Sequence, residues 1–269
     1  MIDVNNLLYH YTTQEGLLGI LQEGVIRASG IQHLNDASEF HYAVNIALSA
    51  LNSMSMPAEV NERLTSILTT FQYSWDVFVT SFSQDGDQLG QWRAYGKDGG
   101  FSIGFDPTEL RNLAVAQGYQ LRKCQYDYHQ HEVPIRDMVQ RAVKTETWVP
   151  EDSFIFQQHF LELAPIFKHW SFAAEAEWRL SKLQAAPING QLDKDIKYRP
   201  GKSFFVPYKE FKLSSESQLG PPLPIRMIVI GPTPHSQLSA WTVRNRLHIM
   251  GLKPDVAPVI QSLVPYRAW

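Results

Sequence analysis

The chain has 269 residues, 44% of them hydrophobic and 19% charged, which excludes a disordered or fibrous polymer and supplies enough apolar material for a proper core. Its formal net charge of −3 does not mark a nucleic-acid binder, and its single cysteine, Cys124, excludes an internal disulfide framework and a four-thiolate zinc site. No apolar run is long enough to cross a membrane and no basic stretch precedes an apolar one at the start, so a cytoplasmic protein with no signal peptide and no membrane partner is expected.

Residues 7–12 read as a short strand and 13–23 as a helix, with Leu17, Leu18, Ile20 and Leu21 on its apolar face and Gly24 as its stop. Residues 25–28 are strand-like. Asn35 or Asp36 is placed to cap a helix running to about Leu51, and Pro57 suits the first turn of another ending near Phe71. Residues 77–82 and 101–105 read as buried strands, and 133–145 and 153–168 as helices. Strands are expected at 178–183, 196–199, 204–213 and 227–230, followed by a helix over 237–250 that Gly251 ends. Residues 184–191 and 214–224 read as loops inside one domain spanning 1–269, without internal repeats. Strands and helices do not alternate strictly, so the pattern favours α+β over a doubly wound parallel sheet.

Charge is spread unevenly. Residues 1–60 carry one basic residue, Arg27, against six acidic ones, and residues 196–269 carry ten basic against three acidic. The basic end either attracts phosphates or is a solvated face balancing an acidic half. Aromatic residues reach 12%, which suggests stacking surfaces as well as core.

Phosphate-loop, dinucleotide-binding, H-E-x-x-H and G-x-S-x-G patterns are all absent. His129 and His131 would share a face on a strand, but without a third ligand at a recognisable spacing they read as a surface pair. Four segments stand out together. In Tyr9-His10-Tyr11-Thr12, His10 either points into a cleft or is a core histidine bonded to backbone. Residues 34–40, Leu-Asn-Asp-Ala-Ser-Glu-Phe, are close to a capping box. In Thr80-Ser81-Phe82-Ser83 the two serines share one strand face, suited to a ribose or a carboxamide, and Gln91-Trp92-Arg93-Ala94-Tyr95-Gly96 offers rings and a cation. The bland alternative there is a polar edge strand and a packed tryptophan. Last, Glu175 and Glu177 at the start of a strand would face the same way if extended, with Arg179 close enough to offset them in a salt bridge.

Taken in order, these motifs resemble the bacterial domain-of-unknown-function family 2971. They run His10 to Thr12, Leu34 to Phe40, Ser81 to Ser83, Gln91 to Gly96, Glu177 to Arg179, Gly231-Pro232 and Pro265 to Arg267. That family in turn resembles the ADP-ribosyltransferase superfamily. Its members carry a His or Arg on an early strand, a Tyr or Ser-Thr-Ser in a middle one and a Glu on a late one. Here the positions are His10, Ser81-Phe82-Ser83 and Glu175-x-Glu177.

The resemblance implies an ADP-ribosyltransferase-like split β-sheet core with surrounding helices, in an enzyme that uses NAD as co-substrate and needs no metal. It would cleave the nicotinamide–ribose bond and transfer ADP-ribose to a macromolecular acceptor, protein or nucleic acid. A toxin or anti-phage defence effector, with an antitoxin or immunity partner, is the implied setting. Glu177 would stabilise the oxocarbenium-like state and Glu175 would orient or deprotonate the acceptor. The cofactor-binding set implied is His10, Tyr11, Thr12, Ser81, Ser83, Trp92, Arg93 and Tyr95. In it, His10 holds the adenosine-side ribose, Ser81 holds a ribose or supports Glu177, Tyr11, Trp92 or Tyr95 stacks on a ring, and Arg93 meets the pyrophosphate. Two alternatives remain. One is a non-catalytic nucleotide- or nucleic-acid-binding module. The other is a phosphodiesterase holding metal on Asp36, Glu39 and Glu177.

Overall fold

The computed structural model describes residues 6–34, 38–70, 75–96, 99–143, 150–185, 193–214 and 223–265. Strand β1 (Leu8–Thr12) runs into helix α1 (Gln14–Glu23), where the Thr13 hydroxyl accepts from the Gly16 N–H at 3.1 Å. Gly24, at φ 66°, ends α1 with its N–H on the Ile20 carbonyl, a left-handed turn that suits glycine. The chain continues through β2 (Val25–Gly30), α2 (Ser38–Ser53), α3 (Ala58–Thr70), β3 (Trp75–Ser83), α4 (Leu89–Tyr95) and β4 (Phe101–Phe105). Then follow α5 (Pro107–Ala116), β5 (Gln120–Lys123), α6 (Tyr128–Val143), α7 (Pro150–Leu163) and β6 (Glu177–Ala185). Strands β7 (Lys197–Pro200), β8 (Phe205–Lys212) and β9 (Ile225–Ile230), helix α8 (Ser236–Ile249) and strand β10 (Val259–Gln261) complete it.

The fold is α+β, with one open mixed sheet in the order β10-β9-β4-β1-β3-β2-β8-β7, to which β6 adds on β3 and β5 on β6. Among the strands of the described residues, only the β9–β10 pair is parallel. Helices cover both faces. Apolar side chains of α1, α5 and α8, such as Leu17, Leu110 and Val243, pack with Phe78, Phe82 and Phe105. On the other face α2, α3, α6 and α7 bury Leu51, Leu64, Val139 and Phe160 against Val77 and Val79. No helix among the described residues is long and apolar enough to cross a membrane.

Strand β3 determines where the site lies. One of its edges pairs with β6 along its whole length, from Trp75↔Ala185 to Ser83↔Glu177. The other edge is shared: β2 takes Phe78 and Val79, and β1 takes Ser83 alone. Between them, Thr80 to Phe82 meet no neighbouring strand on that edge, and the sheet opens there. The sequence alternates along β3, so Val77 and Val79 enter the helix-covered core while Ser81 and Ser83 continue the same face beyond it.

Several sequence expectations change. The Ser-Phe-Ser strand is central, not an edge. Pro134 lies inside α6, which starts at Tyr128, not near Val133, with Asp127 Oδ1 accepting from the His129 N–H at 2.9 Å. His129 and His131 are therefore helical rather than extended. His131 is fully buried, its ring 4.6 Å from that of Phe167 and its Nε2 2.8 Å from the Gln125 carbonyl, so the two are not a surface pair. The helix expected to reach Lys168 ends at Leu163, where Pro165 imposes a 3₁₀ turn over Ala164–Ile166. The Asn35 and Asp36 caps lie outside the described residues, as do most of both expected loops and positions 266–267 of the Pro-Tyr-Arg motif.

Candidate functional site

The opening along β3 forms the floor of a cleft of about 340 Å³. His10 and Tyr11 from β1, Ser81 and Ser83 from β3, Tyr95 from α4, and Glu175 and Glu177 at the head of β6 all line it. The chain thus gathers into one cleft residues that lie far apart in sequence.

The two glutamates converge, but not through an extended segment. Glu175 closes a 3₁₀ turn over Trp170–Glu175, and Ala176 adopts a left-handed conformation at φ 44° and ψ 46° before β6 begins. This turn brings both carboxylates onto Lys168. Its Nζ donates to Glu175 Oε2 at 2.6 Å and to Glu177 Oε2 at 2.5 Å, and it lies 5.0 Å from the Phe172 ring centroid. Arg179 Nε donates to Glu177 Oε1 at 2.7 Å, and its NH1 donates to the Pro165 carbonyl at 2.8 Å. The side chains of Lys168, Glu177 and Arg179 are 3%, 5% and 3% exposed, whereas Glu175 is 33% exposed. Burial alone would raise the Glu177 carboxyl, but the Arg179 and Lys168 charges and hydrogen bonds outweigh it and hold its pKa at about 2. Two carboxylates and two cations thus make a neutral cluster. A carboxylate offers about four acceptor positions. Lys168 and the two Arg179 contacts take three of those on Glu177.

On the opposite wall, the Ser81 carbonyl lies where no β1 amide reaches it, and His10 Nδ1 sits 3.0 Å away. A carbonyl only accepts, so Nδ1 carries the proton and Nε2 is left as an acceptor. Burial pushes the His10 pKa below the usual histidine range, which keeps the ring neutral. The two serines differ. Ser83 Oγ is engaged, donating to the Glu175 carbonyl at 2.8 Å and accepting from the Asp85 N–H at 3.0 Å. Ser81 Oγ has no partner among the described residues and faces the cleft.

The aromatic candidates separate in the same way. Tyr11 is buried, with its hydroxyl donating to the Asp85 carbonyl at 2.7 Å and accepting from the Gln88 N–H at 2.9 Å. Trp92 is wholly buried behind it, ring centroids 4.8 Å apart, with Nε1 donating to Asp87 Oδ1 at 2.8 Å. Trp92 is therefore a packed tryptophan and not a stacking surface on the cleft. Tyr95, 44% exposed, is the ring placed to stack. Thr12 and the exposed Arg93 do not line the cleft.

Sequence reasoning missed Lys168, and it missed two arginines at the far end of the cleft. Arg27 and Ser29 share a face of β2, and Arg199 of β7 donates to Ser29 Oγ at 3.4 Å. The Arg27 guanidinium sits 5.2 Å over the Tyr208 ring, and among the described residues its ion pair is an exposed one to Glu23 at 3.7 Å. Both arginines thus present cations that no buried carboxylate neutralises. Arg27 is the lone cation of an acidic stretch, which was the one available signal. Lys168 closes the apolar run 163–167 and carries no mark of its partners. Among the described residues no three His, Cys, Asp or Glu gather around a metal position, and Asp36 and the Glu39 side chain lie outside those residues.

No curated protein and no solved structure matches this chain. Residues 91–180, which carry most of α4, Lys168 and both cleft glutamates, match the model of a family described as a protein of unknown function (DUF2971).

Proposed function

We propose that the cleft binds NAD and that the protein is an ADP-ribosyltransferase. The observation that carries this reading is the convergence of His10, Ser81 and Glu177 from three adjacent strands on a cleft whose other end presents Arg27 and Arg199. His10 Nε2 and the remaining acceptor position of Glu177 receive ribose hydroxyls, Ser81 Oγ completes the ribose contacts, and Tyr95 stacks on a ring. The diphosphate lies on Arg27 and Arg199 in place of Arg93. In the reaction the bond between ribose C1′ and nicotinamide breaks, and its electron pair leaves with nicotinamide, neutralising the pyridinium. A lone pair of the acceptor forms the new bond to C1′, and the acceptor's proton passes to Glu175, the more accessible carboxylate. The acceptor is a macromolecule, protein or nucleic acid, and an effector role in toxicity or defence fits such chemistry.

One observation favours a second reading. Lys168 and Arg179 neutralise the Glu177 charge, as suits a non-catalytic nucleotide-binding module. A single experiment separates the two. Protein is mixed with NAD labelled on the adenylate portion, alone and with lysate, RNA or DNA, while nicotinamide release, label transfer and calorimetric NAD binding are followed. Transfer that Glu175→Gln and Ser81→Ala diminish by tenfold or more, roughly one hydrogen bond's worth each, establishes the transferase. Binding with neither release nor transfer establishes the module. A folded protein that does not bind NAD overturns both.

A further inference from the structure

A second cavity, of about 570 Å³, lies between α1 and α8 over the start of β4 and shares no lining residue with the cleft. Its walls are apolar, built from Leu17, Leu21, Phe101, Ile230 and Val243, with the half-exposed Leu18 and Leu238 at the rim. Its volume is that of a small-molecule site, about 300–1,000 Å³. Arg246, from the last turn of α8, reaches this apolar space. Its Nε is buried and has no hydrogen-bond partner, and no carboxylate pairs with it among the described residues. The contrast with Arg179 is direct, since that buried guanidinium is met by Glu177 and a backbone carbonyl. Part of the Arg246 side chain meets solvent, but a buried Nε–H without a partner carries a desolvation cost that an acceptor entering the cavity relieves.

We propose that this cavity binds a small carboxylic acid with an apolar body. The carboxylate sits on the Arg246 guanidinium and the body lies among Leu17, Leu21, Phe101 and Val243. A single cation among apolar walls suits a monoanion, because a phosphate dianion would bring a charge that nothing else in the cavity offsets. Ser239 and His235 also line the cavity and add polar groups to it. The site is independent of NAD chemistry and stands whether or not the cleft is catalytic.

The test uses the full chain, with octanoate and 1-octanol as probes in calorimetric titration and thermal melting. Octanoate is expected to bind about tenfold or more tightly than octanol. Arg246→Met should bring the two within threefold while octanol affinity stays. Ser239→Trp, which fills the cavity, should abolish octanoate binding, and Glu175→Gln in the cleft should leave it unchanged. Equal affinities of octanoate and octanol for the wild-type chain, or no binding of either at millimolar concentration, would overturn the proposal. That comparison needs no variant, so it stands even if Arg246→Met fails to fold.

Discussion

Lys168 holds both cleft carboxylates while almost wholly out of solvent, so its removal leaves Arg179 as the one cation for two carboxylates and the cluster with a net negative charge. Lys168→Met is expected to destabilise the protein by about 3–5 kcal/mol, measured by urea unfolding, with part of the loss recovered in Lys168→Met/Glu175→Gln. The acid limb of stability follows from Glu177. Its carboxyl titrates at about 2 when folded, against an ordinary value of 4.5. The unfolded chain therefore binds the proton first as pH falls, and the stability present above 4.5 is lost progressively toward 2. Melting temperature should fall across that window in the wild type and much less in Glu177→Gln. At this scale the sequence was informative about residue types and poor on partners. His10, Ser81 and the two glutamates were singled out as motifs and given roles only through the family resemblance; that they line one cleft is what the fold adds. Trp92 was misjudged because a ring's exposure depends on Tyr11 and Asp87, which only the fold brings together.

The 3₁₀ turn ending in Ala176 is the element that aims the glutamates. Ala176 is the one non-glycine with positive φ among the described residues, and a side chain there is strained. Ala176→Gly is expected to leave stability unchanged or raise it by up to about 1 kcal/mol. Ala176→Val should lower it by about 2 kcal/mol or more, since a β-branched residue resists this conformation. Chemical denaturation of the two variants measures both. Nothing in Phe-Ala-Ala-Glu-Ala-Glu announces such a turn, because alanine is not a residue that marks left-handed backbone; the expectation of an extended Glu-x-Glu failed for that reason. Longer elements such as α1, α8 and β8 were legible, and so was the apolar run of β4. The seven residues of α4, four of β5 and three of β10 were not, since such short elements hardly show a period and are fixed by their neighbours.

Across the whole molecule the cleft is electrically lopsided, with a neutral cluster at the β6 end and two arginines at the β2 and β7 end. Arg27→Gln/Arg199→Gln is expected to weaken NAD binding about tenfold or more and to flatten its dependence on salt, which titrations between low and high ionic strength would show. The single rung Tyr9↔Ser83 has a mechanical meaning as well. The β1-β4-β9-β10 half and the β2-β8-β7 half are two plates pinned on a common rod, β3, by one rung and two rungs respectively. Side chains of both plates, among them Leu8, Phe105, Ile26 and Phe211, share one hydrophobic cluster, so packing holds the jaw width where the backbone rungs are few. His10 belongs to one plate and Arg199 to the other, and a ligand spanning them acts as a strut. Amide hydrogen exchange should then slow on β1 and β7 together when NAD is added, with the plates' inner ladders unchanged.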